Sequence, residues 1–479
     1  MNTAYPDRRR TMACPRKLRL RLLSCATAAL MAAPIAATGG PALAQSAEGE
    51  QSIVFWSREG NPERVARTQK NIEVFKEKTG IDVELVVVDE TALFTLILVN
   101  AAAGTLPDVV HHPAALTSRW VKEGLLNAEA SAEVVAELGE STFYPAALRA
   151  VEVDGQYAAV PIDGQGPVVH YRTDWFEEAG LAPPRTYDEM LAAAAALHDP
   201  ANQRYGIGLS TDPGNEAMQT RLESMALANG CYLVDSAGEA AFDSPNCLEF
   251  LEFEQQLRQY APQGLFDSVA SRALYLSGQA AMYIGGTATL HRMAGLDDSQ
   301  LATCAECTEN PAYLAENTAL IPAWSGPSGE PVQLGSLITV GISADADVEP
   351  AQEFVRYLLS DGYTEWLAQA PNILLPARPG TAEDPEQFLK AWRQLEMGVE
   401  RRGLMDDFYE KEVIDELLQG APKKFDSWAL HQPALTGAVY ETLLVPQVVA
   451  EMHEGAITPE EAAERINEDL SILIDDLDE

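Results

Sequence analysis

Apolar positions along the chain fall into short runs separated by amphipathic stretches. Ser52 to Ser57 (SIVFWS) is a short apolar run, Pro62 to Lys78 has helical spacing closed by Gly80, and Ile81 to Val88 (IDVELVVV) is β-branched and buried in character. This reads as strand, helix, strand. After Gly104 and Pro107, DVVHH (Asp108 to His112) predicts another strand, and further strands read at Tyr157 to Pro161, Val168 to Tyr171, Tyr205 to Leu209, Ala281 to Ile284, Thr318 to Ile321 and Gly335 to Ile342. Such alternation predicts an α/β fold built on mostly parallel sheet with helices on both faces. Ligands of such sheets sit beyond the carboxyl ends of the strands, where Trp56, Ser57, His111 and His112 stand.

One stretch carries more punctuation than a connector needs. In YRTDWFEEAGLAPPRTYDEM, Thr173 or Asp174 can cap a short helix, Gly180 supplies the left-handed residue that ends it, and Pro183 and Pro184 forbid continuation. A second helix starts at once, because Thr186 and Glu189 have capping-box spacing ahead of an alanine-rich run.

The first 44 residues change the picture of the whole. Seven basic residues from Arg8 to Arg21, an apolar run from Leu22 to Ala37 and the Ala42-Leu43-Ala44 site read as a secretory leader cleaved after Ala44, which places the mature chain in the periplasm. No later segment approaches the roughly 18 uninterrupted apolar residues of a membrane helix. The full chain of 479 residues has net charge −39, and cleavage of the leader takes it to −45. Such a surface repels phosphate backbones and anionic headgroups, which argues against nucleic-acid binding. Four cysteines survive cleavage, and proximity suggests the disulfides Cys231 with Cys247 and Cys304 with Cys307; the rival for the second pair is a metal or redox CxxC. Zinc would need two more ligands, and no second CxxC or HxxxH stands nearby.

The blocks then acquire company. FWSREGNPERVARTQKNIEVFKEKTGIDVELV (Phe55 to Val86), AAAGTLPDVV, YRTDWFEEAGLAPPRTYDEM, SGQAAMYIGG, ALIPAWSGPSG and GSLITVGISADADVEPAQEFVRYLLSDGYTEWL follow one another in an order that resembles the extracellular solute-binding proteins of sugar-type ABC importers, the maltose-binding-like group. The resemblance runs from about Ile53 to Leu470. It implies two α/β lobes joined by hinge crossovers, 45–164 with 320–372 and 165–319 with 373–479, closing on a solute. It also implies docking on a membrane permease, as a monomer with no cofactor.

Binding a neutral polyol needs aromatic faces for C–H groups and fixed polar groups for hydroxyls. Carried over by position, the first strand-end loop offers Trp56, Ser57, Glu59 and Asn61, with Trp56 equally readable as a core anchor. His112 stands where sugar-binding relatives often place a stacking aromatic. Metal binding by His111 with His112 is disfavoured, since adjacent strand residues point to opposite faces. The first crossover offers Asp163 and Gln165, the loop after the next glycines Gly286 and Thr287, the second crossover Trp324, and the C-terminal part Trp428 and Tyr440. Arg378 either bridges the lobes or meets an acidic ligand, with Asn372 on the same crossover. Two departures stand out: Arg172 replaces the usual Asn after Tyr171, and Gly286-Thr287-Ala288 lacks the usual aromatic.

The expected function is capture of a mono- or oligosaccharide for import, without catalysis. The alternatives are the same fold holding a polyamine or a glycerophosphodiester, or an exported glycoside hydrolase using two carboxylates. No G-x-S-x-G, H-E-x-x-H or P-loop spacing supplies another chemistry.

Overall fold

Ile53 and Phe55 point to one face of the first strand and Trp56 to the other, and that alternation sets the layers. The computed structural model describes residues 51–89, 92–332, 336–420, 428 and 432–478, so the leader and its boundary at Ala44 lie outside the described residues. The strands are β1 (Ser52–Ser57), β2 (Asp82–Val87), β3 (Val109–Pro113), β4 (Glu152–Val153), β5 (Gln156–Tyr157), β6 (Val160–Gln165), β7 (Pro167–Arg172), β8 (Met282–Gly286), β9 (Thr318–Ile321), β10 (Ser336–Ile342) and β11 (Leu375–Pro376). A six-stranded sheet has the order β11-β6-β10-β3-β1-β2, and a three-stranded sheet the order β8-β7-β9.

Strand direction departs from the expectation of mostly parallel sheet. Among the strands described, parallel pairing is confined to β1 with β2 and β3. Both partners of β10, the β6–β11 pair and all of the second sheet are antiparallel. The cause is connectivity: β6 and β7 are separated by Gly166 alone, and β9 and β10 by a single connection, so these strands travel between the sheets and do not return through a βαβ crossover. The Tyr205 to Leu209 run forms only isolated parallel bridges, Tyr205 to Ala280 and Gly208 to Tyr283. Tyr157 belongs to the β4–β5 hairpin, not to the strand that follows it.

Local chemistry accounts for the helices. Asn61 caps Pro62–Thr79 by accepting from the Glu63 and Arg64 N–H groups, and Gly80 ends it at φ 80°. The helix Thr173–Ala179 starts without a side-chain cap and ends at Gly180. The helix Tyr187–Leu197 carries the full capping box: Thr186 Oγ1 accepts from the Glu189 N–H at 3.3 Å, and the Glu189 carboxylate accepts from the Thr186 N–H at 3.0 Å. Thr186→Ala is expected to cost about 1 kcal/mol, read as a lowered urea midpoint; an unchanged midpoint would show that Glu189 alone holds this end.

The main core lies on one face of the first sheet and continues to Tyr283 and Leu320 of the second and to Leu290 just beyond β8, while a second core packs the opposite face of β7–β9 against the C-terminal helices. Chain contacts accordingly gather Glu50–Glu479 into one compact unit. The segment from Gln387 to Gly420 packs onto both sides, its first helix on Tyr363–Leu367 and its last on β9. Cys231–Cys247 and Cys304–Cys307 are both disulfide-bonded. Among the described residues, no helix is long and apolar enough to cross a membrane, and no cluster of His, Cys, Asp or Glu is arranged to hold a metal.

Candidate functional site

A bulge in the first sheet prepares the site. The β10–β6 register shifts between Ile338, opposite Asp163, and Thr339, opposite Pro161, leaving Ile162 as the extra residue. Tyr363 donates to the Ile162 carbonyl at 2.5 Å and fixes the distortion. Asp163 is 1% exposed. Its Oδ2 accepts from the Trp366 indole N–H at 2.8 Å, while Oδ1 has no partner. Burial raises its pKa to about 7, against the opposing pull of the Trp366 hydrogen bond and of Arg58.

Trp366 links Asp163 to His111, whose ring meets the indole edge-on with centroids 5.1 Å apart. His111 is buried and neither ring nitrogen has a partner. Burial holds its pKa well below the usual value, assisted by Arg58 and His112, so the imidazole is neutral. Arg58, in the loop after β1, lies within electrostatic reach of Asp163, Glu216 and Glu59. Glu216 opens the helix Glu216–Ala228, which packs on β7 and β8 of the second sheet. The charges of the two sheets' sides therefore meet across one seam.

The opposite wall is polar too. Tyr440 donates to Glu223 Oε2 at 2.5 Å, and its hydroxyl lies 3.5 Å from Thr220 Oγ1. Glu223 also accepts from the Trp428 N–H, and burial, only partly offset by these bonds, raises its pKa to about 7. Gln219, wholly buried, has no partner on either amide atom. Thr287 is buried with Oγ1 unpartnered, and its carbonyl accepts from Asn372 Nδ2 at 3.1 Å, which ties the third crossover to the end of β8.

Other residues named from sequence are placed differently. Trp56 packs with Val88, Ile97 and Val110. His112 lies on that same face, its ring tilted against Trp120 with centroids 4.8 Å apart and Nδ1 2.9 Å from the Pro113 carbonyl; His111 is on the other face, as strand alternation requires. Ser57 accepts from the Glu59 N–H, and Glu59 pairs with Arg64 at 2.7 Å, so this loop organises itself around the Asn61 cap. Trp324 and Trp428 sit in the second core. Gly286 is exposed at the end of β8, and Gln165 ends β6.

Arg378 neither bridges the two sheets nor faces the seam. Its guanidinium donates to Thr142 Oγ1, the Leu359 carbonyl and the Leu138 carbonyl at 2.8, 2.6 and 2.8 Å, all on the first sheet's side. Arg172 is buried over the Trp175 and Tyr313 rings and paired with Asp174, which explains why an Arg is accommodated where an Asn was expected.

Sequence reading missed Arg58, Trp366, Glu216 and Gln219. Arg58 stood between two residues that were named. The helix pattern also held a signal: Glu216, Gln219, Thr220 and Glu223 share one face at spacings of three and four in a helix otherwise largely apolar.

Comparison with known proteins places this architecture. The family described as bacterial extracellular solute-binding protein matches residues 70–396. YcjN of Escherichia coli (strain K12), provisionally assigned as an ABC transporter periplasmic-binding protein, is 29% identical over 330 residues, 68% of this chain and 73% of that protein. The mannitol-binding protein of Pseudomonas aeruginosa is 25% identical over 54% of this chain and 58% of its own length. Among solved structures, a solute-binding protein of Thermotoga lettingae TMO bound with α-D-tagatose has a TM-score of 0.66 at 20% identity, covering 88% of this chain and 100% of that one. Maltose-bound MalE3 of T. maritima has a TM-score of 0.66 at 19% identity, covering 88% and 99%. With the family matched over most of the chain and the two-lobed fold shared over 88% of it, the chain belongs to the bacterial extracellular solute-binding proteins.

Proposed function

We propose that the chain is the exported, solute-capturing component of an ABC importer. It holds a neutral carbohydrate or polyol in the seam between lobes 45–164 with 320–372 and 165–319 with 373–479, and passes it unaltered to a membrane permease. One observation carries this reading: buried polar groups without partners lie on both sides, with His111 and Asp163 Oδ1 on one and Thr287 Oγ1 and Gln219 on the other. Each such group costs about 1–3 kcal/mol unless something entering the seam satisfies it. Hydroxyls suit them all, since each both donates and accepts. A ligand contacted from both walls also selects the closed arrangement.

Charge favours a neutral solute. Arg58 is answered by Asp163, Glu216 and Glu59, leaving no uncompensated positive charge for a phosphodiester. The maltotriose-binding protein of Pyrococcus abyssi, 27% identical over 45% of this chain and 46% of its own length, adds a sugar-binding relative. The test is a thermal-shift screen of the mature protein. A carbohydrate or polyol at a hundred times its Kd is expected to add about 2.7 kcal/mol of stability. A shift given only by polyamines or glycerophosphodiesters would overturn the reading, as would hydrolysis of any saccharide that binds.

A further inference from the structure

We propose that the seam takes a single alditol or monosaccharide and not an oligosaccharide, and that Gln219 is the residue of the second wall that selects it. This rests on the reading of the seam as a solute site. Three observations on the chain itself support the narrower class.

The first is that protein fills the ends where a sugar chain would extend. The helix Pro433–Thr442, which packs on the C-terminal helices, also packs on residues 114–122 of the first sheet's side. A Cβ placed on Gly437 would lie 3.8 Å from Leu116 Cδ2, an ordinary van der Waals contact, so the two surfaces are about one methyl group apart. Arg119 pairs with Glu441 at 3.3 Å across this contact. Elsewhere along the seam Arg402, on the segment after Gly398, pairs with Glu63 at the start of the helix Pro62–Thr79, and Asn372 closes onto Thr287.

The second is that the aromatic faces are spent. A chain of pyranose rings is gripped by open aromatic platforms, but Trp56 and Trp324 are buried in cores and Trp366 is buried with its ring against His111. What the seam offers instead is polar groups. These suit a molecule with hydroxyls along its whole length and little ring face.

The third is Gln219 itself. Helical spacing puts it on one face with Glu216 and Glu223, three residues after the first and four before the second. Glu216 is engaged electrostatically by Arg58 and Glu223 is bound by Tyr440, whereas the buried Gln219 amide has a free donor and a free acceptor. A primary amide can accept from one hydroxyl and donate to its neighbour, which matches a vicinal diol. Asp163 and His111 present the same complement from the other wall.

Isothermal titration calorimetry on the mature protein, with a panel of pentitols, hexitols and monosaccharides beside maltotriose and spermidine, tests both parts. At least one small polyol is expected to bind and maltotriose to give no heat. Gln219→Leu is expected to lower that affinity about tenfold or more while the ligand-free protein melts no lower than wild type, because an unsatisfied amide has been removed. Should Gln219→Leu not fold, Gln219→Asn keeps the polarity one methylene short and must still lose affinity. Binding of maltotriose without any small polyol would overturn the size class yet leave solute capture standing. Silence from every polyol and saccharide of the panel, maltotriose included, or binding of spermidine alone, would overturn both. Wild-type affinity in a folded Gln219 variant would remove Gln219 from the site.

Discussion

Asp163→Asn is expected to raise the melting temperature of the ligand-free protein at pH 8, leave it nearly unchanged at pH 4, and weaken solute binding about tenfold to a hundredfold. The folded-state pKa of Asp163 is raised by burial from 3.8 to about 7. The sign follows from linkage: below the unfolded pKa the carboxyl is neutral in both states and costs nothing. As pH rises from about 4 to 7 the unfolded chain ionises more readily than the folded one. Stability therefore falls over that window, by up to about 4 kcal/mol when complete. Asparagine removes this loss and can still accept the Trp366 N–H through its carbonyl oxygen. Glu223, also raised to about 7, titrates in both proteins, so the difference between them isolates Asp163. The binding loss arises at the other atom, where an amide NH2 would replace the unpartnered Oδ1 acceptor. Equal melting temperatures at pH 8 would mean that Arg58 keeps Asp163 ionised at no cost, and equal affinity would remove Asp163 from the site.

The second large effect lies away from the seam. Glu254→Gln is expected to destabilise by about 3–5 kcal/mol, measured as the free energy of urea unfolding at pH 7. Glu254 is wholly buried and takes both Nη atoms of Arg221, at 2.8 and 2.7 Å, with His453 Nε2 at 3.2 Å. These three residues join the helices Glu216–Ala228, Pro245–Arg258 and Leu444–His453. Burial alone would push the carboxyl pKa up, but Arg221 and His453 together pull it down to about 2. The contribution is therefore present above the usual carboxylate pKa of about 4.5 and is lost as pH falls from there towards 2. Glutamine keeps the shape but strands a buried guanidinium without its counter-charge. In the wild type, acid unfolding should begin in that window, and Glu254→Gln should flatten it. A variant with wild-type stability would show that water reaches Arg221.

The helix Glu216–Ala228 thus serves two tasks from different faces. Arg221 points to the Glu254 pair that anchors the helix in its own half, while Glu216 and Glu223 point to Arg58 and Tyr440. Gln219 is held between rigid neighbours. A hydrogen-bonding group used for selection has to be fixed in this way, since ordering it on binding would cost conformational entropy.

How far the sequence reached can be seen residue by residue. Asn61 and Gly80 bracketed their helix, and Thr186 with Glu189 announced theirs, because capping involves partners within four residues. The opposite facing of His111 and His112 followed from the two-residue period of a strand. The strand expected at Tyr205 failed to extend, and the sheets turned antiparallel where the chain crosses between them, because pairing depends on partners far away in the chain. Arg378 read either as a bridge between lobes or as a contact to an acidic ligand until its three carbonyl and hydroxyl partners, contributed by residues 138, 142 and 359, were known. Trp324 gave no sign from sequence that both its faces would be enclosed.

Local rules acting over a few residues were thus enough to set most helix ends, the facing of the strands and the cysteine pairs, and the ordered blocks pointed to the family. Tertiary structure decided which polar side chains were left without partners. Asp163 is aimed by a bulge, its neighbour Trp366 comes from 203 residues away, and Gln219 is buried without a partner on a helix packed against the other sheet. The energy of a buried polar group depends on what surrounds it, and those surroundings come into being only when distant segments pack together.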